Sequence, residues 1–114
     1  MARSYKKLIY KLQTACNKQF DARLLYNKTQ VYSEKADKPI TFLCIRQATV
    51  DEKGKLRNVE LFNTTSELYI VMFLRDYWYS LNGWEIPEGT EGWEKEKQKY
   101  QERKAKGITP RDVP

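Results

Sequence analysis

Apolar positions along the chain change their spacing several times, and each change marks a predicted element. After Ser4, a plausible helix N-cap, apolar residues fall at Tyr5, Leu8, Ile9, Leu12 and Cys16. At 100° per residue they form one narrow stripe, which predicts an amphipathic helix. From Arg23 to Ser33 the text turns to β-branched and aromatic residues mixed with polar ones, and predicts a first strand after which Glu34–Pro39 forms a loop. Ile40–Val50 is apolar on both faces at first and alternates later, as a central strand would. Asp51–Lys55 reads as a turn with Gly54 at a positive-φ position, and Leu56–Phe62 as a third strand. Two short connections between successive strands favour an antiparallel meander.

Thr64 with Glu67 three residues on has the form of a capping box. It predicts a helix from Thr65 to about Leu81, stopped by Asn82-Gly83. This helix is apolar nearly all round, so it should lie between the sheet and another element. Trp84–Gly89 is expected as a loop docked through Trp84 and Ile86. Trp93–Lys106 has strong helix formers but only Trp93, Tyr100 and Ala105 as apolar positions, so it predicts a polar helix, either laid lightly on the domain or marginal alone. Gly107–Pro114 is expected to be a flexible tail. The sum is an α+β fold, a three-stranded antiparallel sheet packed against helices in α-β-β-β-α order with a polar helix appended. Residues 1–83 form the expected core domain and 84–114 the docked loop, helix and tail.

Charge adds direction to this outline. The net charge of +6 comes wholly from the segment up to Lys38, with nine Lys/Arg against three Asp/Glu. On the first helix, Arg3, Lys7, Lys11, Thr14 and Lys18 lie opposite the apolar stripe, and no acid precedes Asp21. Like charges at i,i+4 cost a helix about 0.2–0.5 kcal/mol per pair. A helix that carries two such pairs points to an anionic partner, the alternative being a surface that serves solubility. Lys6, Arg23 and Lys28 are candidate flanks. Tyr26 and Tyr32 share a strand face with Lys28 between them, a spacing that could stack bases while cations hold phosphates. The same tyrosines also suit ordinary sheet packing.

The chain has no histidine, which removes the commonest general base and metal ligand. Cys16 and Cys44 lack metal-site spacing, and glycines 54, 83, 89, 92 and 107 build no phosphate loop. Asp51, Glu52 and Glu60 with Lys53 or Lys55 are the remaining candidates for carboxylate–metal chemistry, although Asp51, Glu52 and Lys53 have the look of ordinary turn residues. Non-enzymatic binding, without cofactor or metal, is the expectation. The longest apolar run, Leu68–Leu74, is far short of the roughly 20 residues a bilayer span needs, and no signal-peptide pattern follows Met1. A cytoplasmic protein without membrane contact is expected.

The element order over Ser4–Leu81 resembles that of the double-stranded-RNA-binding domain, in which both helices and a loop between strands grip a duplex. That family places a lysine cluster at the start of its second helix, where this chain has Thr64-Thr65-Ser66-Glu67. Its strand-loop histidine also has no counterpart here, where the loop holds Lys38-Pro39. Val59-Glu60-Leu61-Phe62, Ser66-Glu67 and Phe73-Leu74-Arg75-Asp76 with Trp78 resemble small proteins carried on bacteriophages and integrative elements. That resemblance implies element maintenance, or inhibition of a host-defence effector by binding. Two expectations follow: nucleic-acid binding through the first helix, or stoichiometric binding of a host protein through sheet edges and the aromatics Tyr26, Tyr32, Trp84 and Trp93.

Overall fold

The computed structural model describes residues 4–84 and 91–106. Its order is α1 (Lys6–Phe20), β1 (Leu24–Ser33), β2 (Lys38–Val50), β3 (Leu56–Thr64), α2 (Glu67–Leu81) and α3 (Glu91–Ala105). The sheet is antiparallel in the order β1-β2-β3, so the predicted α+β meander is the observed architecture. Arg3, Ile86 and the expected tail from Gly107 lie outside the described residues.

Register puts Leu24, Tyr26, Leu43, Ile45 and Phe62 on one face of the sheet. There they meet Ile9 and Cys16 of α1 and Ile70, Val71 and Leu74 of α2 in a single core. Removing these side chains from water supplies the main drive to fold. A bulge opposite Ile45/Arg46 makes Leu61 the extra residue of β3 and brings Glu60 beside Arg46 on the other face. That face buries Phe42, Cys44 and Asn63 but leaves Leu25, Val50 and Leu56 exposed.

Two capping expectations are corrected. α1 begins one residue later than a Ser4 cap implies, with Tyr5 at the N-cap. Glu67 does not close a box with Thr64. Its carboxylate accepts the Tyr5 N–H at 2.8 Å, while Thr64 stays in β3 and its hydroxyl donates to Glu96 at 2.7 Å. At the other end of the same helices, Gln19 donates to Asn82 at 3.2 Å. The two contacts pair start with start and end with end, so α1 and α2 run parallel. α2 stops at Asn82, and Gly83 takes the left-handed φ of +72° expected of a helix terminator.

α3 is firmly docked, and its anchors are the two aromatics seven residues apart. Trp93 is only 3% exposed and Tyr100 7%, both within the core, so the expectation of an exposed Trp93 is corrected. Trp93 packs edge-on against Phe62 and donates its indole N–H to Asp76 at 2.6 Å. Gly92 permits the approach, since a Cβ there would lie 2.8 Å from the Tyr69 hydroxyl. Two apolar positions suffice because they fall on one face, two turns apart.

Burial pushes both the Tyr26 and the Tyr100 phenol from the ordinary 10.0 up to about 12. The folded state thus holds these protons more tightly than the unfolded chain. Their contribution to stability is complete below pH 10 and is lost as pH rises from 10 towards 12. Alkaline titration should therefore show these two phenols ionising well above pH 10, together with loss of circular dichroism. Phenolate absorbance rising in one step near 10 for all eight would contradict this.

Candidate binding face of the paired helices

α1 contains no acidic residue; its outer side carries Lys7, Lys11 and Lys18, with Lys6 on a flank, and all four are exposed. None of the four makes an ion pair with a described residue. The inner side explains their position: Ile9 and Cys16 are fully buried, and Lys7, Lys11 and Lys18 lie about 180° round the helix from them. Between the two sides runs a groove against α2, of 440 Å³, lined chiefly by Leu8, Leu12, Ala15, Trp78 and Tyr79. Lys11 stands on one rim and Arg75 of α2 on the other. Trp84, 56% exposed, stands edge-on to Trp78 beyond it.

Other predicted site residues are not brought to this surface. Tyr26 is 5% exposed and lies beneath α1 with the Tyr10 ring edge-on to it, so its expected role as a stacking platform is corrected. The reason is that α1 crosses the first half of β1 and takes Tyr26 into the core. Tyr32, past the helix, is exposed as expected, and its hydroxyl bonds to Asp37. Lys28 is exposed on the helix side of the sheet. Arg23 follows the left-handed Asp21 and pairs with it at 3.3 Å, so its charge is partly offset.

Sequence reasoning missed Arg75. It is the one basic residue of α2, and it became part of the site only because α1 and α2 pack side by side. Its signal was a cation on a helix otherwise rich in apolar residues.

Two of the carboxylate candidates, Asp51 and Glu60, make hydrogen bonds within the fold. Asp51 accepts from the backbone N–H groups of Lys53 and Lys55 at 2.9 Å each and from Arg57 at 2.8 Å. These bonds, with Arg57 first, hold its carboxyl below the usual range. Glu60 accepts from Asn63 at 3.2 Å. Among the described residues no three His, Cys, Asp or Glu side chains come together as a metal site. Both cysteines are free and buried, and burial pushes the Cys44 thiol up to about 11. No helix of the described residues is long and apolar enough to cross a membrane. The chain has no significant match to a protein-family model, a curated protein or a solved structure.

Proposed function

We propose that this protein is a small non-enzymatic binding protein of a mobile genetic element that contacts nucleic acid through the outer face of α1. The supporting observation is the set Lys6, Lys7, Lys11 and Lys18: exposed, without ion-pair partners among the described residues, on a helix without acids. From Lys7 to Lys18 the face extends about 16 Å at 1.5 Å per residue, enough to follow several phosphates. Such contacts give affinity with little sequence preference. The setting in a mobile element rests on the sequence resemblance alone.

Binding of labelled single- and double-stranded DNA and RNA, followed across a fourfold salt increase, tests the reading. Four phosphate contacts predict a loss of affinity of about a hundredfold over that range on duplex DNA. Absence of binding at low salt would remove the reading.

The apolar lining of the α1/α2 groove favours a second reading, a stoichiometric inhibitor or adaptor that binds a host-defence effector. Leu8, Leu12 and Trp78 would take an apolar helix stripe, and Lys11 and Arg75 would meet acids at its margins. A partner held this way should be released by Leu8→Glu, whereas binding to nucleic acid should survive that change. A stable protein complex indifferent to Leu8→Glu would argue against the groove.

A further inference from the structure

The free edge of β1 is treated differently along its length. Ala48 N–H donates to the Arg23 carbonyl at 3.1 Å, so Arg23 and Ala48 form a hydrogen-bonded pair. By the alternation of an antiparallel ladder, odd-numbered residues of β1 then bond inward to β2. Leu24, Tyr26, Lys28, Gln30 and Tyr32 turn their N–H and C=O groups outward. At Leu24 the side chain of Asn17 both accepts the N–H, at 2.7 Å, and donates to the carbonyl, at 3.0 Å. At Tyr26 the Gln13 side chain accepts the N–H at 3.1 Å. α1 thus closes the first half of the edge. Lys28, Gln30 and Tyr32 have exposed side chains, and no described side chain takes their outward backbone groups.

The opposite edge is closed by the same device. Tyr100 and Arg103 of α3 donate to the outward carbonyls of Glu60 and Asn63, at 3.4 and 3.2 Å. Leu56 and Asn58, beside the hairpin turn, have no such cover from the described residues. A run of unpaired strand groups is a template for another strand.

We propose that a second copy of this chain pairs with this edge, β1 against β1 and antiparallel, about a two-fold axis at Gln30. The open positions are symmetric about that residue, as a two-fold interface requires. Lys28 of one copy then faces Tyr32 of the other, Gln30 faces Gln30, and each residue's outward groups find partners. The charges favour this register. An axis at Lys28, or parallel in-register pairing, would set lysine against lysine, which is destabilising. The strand cannot slide far either, because α1 covers the edge at Tyr26 and the chain turns after Ser33. The product is one continuous sheet with both α1 helices on the same face. This pairing does not depend on the nucleic-acid reading, though it would place two basic helices side by side.

Sedimentation of the full chain over about a hundredfold concentration range tests the proposal without any ligand. The mass should rise from the 13.6 kDa of one chain towards twice that value. Hydrogen exchange at the Lys28, Gln30 and Tyr32 amides should slow in step with it. Gln30→Lys sets lysine against lysine at the axis and should stay monomeric over the range, with the circular dichroism of the parent. A parent that stays monomeric would overturn the proposal. So would a dimer that survives Gln30→Lys, or one that protects Leu56 and Asn58 in place of the β1 amides.

Discussion

Replacing Trp93 with alanine should lower the stability of the protein by about 3–5 kcal/mol, the range for removal of a buried tryptophan. The side chain is 3% exposed and lies against Phe62, Phe73 and Tyr69. Its loss opens a cavity between β3, α2 and α3. Asp76 would lose the indole N–H as well, and burial already raises the pKa of that carboxyl despite the bond. Of the described side chains of α3 only Trp93 and Tyr100 are buried, and the rest of its hold is polar, through Glu96 on Thr64 and Arg103 on Asn63. Short polar helices are marginal in water. The effect should therefore show twice, as a lower urea midpoint and as lost helical signal before the main transition. A variant as stable as the parent, with α3 amides still protected, would mean that α3 is held by something other than this anchor.

Reversing Lys7 and Lys11 to glutamate should abolish most nucleic-acid affinity and, more tellingly, change its salt dependence. Four phosphate contacts on duplex DNA give a log–log slope of about −3.6, and two lost contacts should bring it to about −1.8. The fold should be indifferent to the change. Both side chains are exposed and unpaired among the described residues, and one like-charge i,i+4 pair is exchanged for another. An unchanged melting temperature with a halved slope would assign the face. An unchanged slope would return those charges to a role in solubility and favour the groove between α1 and α2.

The kinds of element and their order were legible in the sequence because each rests on local periodicity. The stripe Ile9, Leu12, Cys16 marks α1, and the Asp51–Lys55 turn joins two β-type runs. Asn82-Gly83 ends α2 where a left-handed residue is needed. The strand ends moved by only one or two residues. The cations of α1 were legible for the same reason: they are the residues left over when the apolar stripe is buried.

What periodicity cannot carry is which surfaces meet across long separations. Tyr26 and Tyr32 are equivalent by strand parity, yet one is in the core and the other in solvent, because α1 covers only half of β1. Gln13 and Asn17 look like ordinary polar helix residues, but they close a sheet edge at Leu24 and Tyr26. Glu67 satisfies the N–H of Tyr5, sixty-two positions away, in place of its neighbour Thr64. Arg75 joins Lys11 only through the parallel packing of α1 and α2. The sequence by itself determined the elements and the basic face, since both follow from one helix or strand and water. The tertiary structure decided the groove, the docking of α3 and the open stretch of β1, since each depends on how far one element reaches along another.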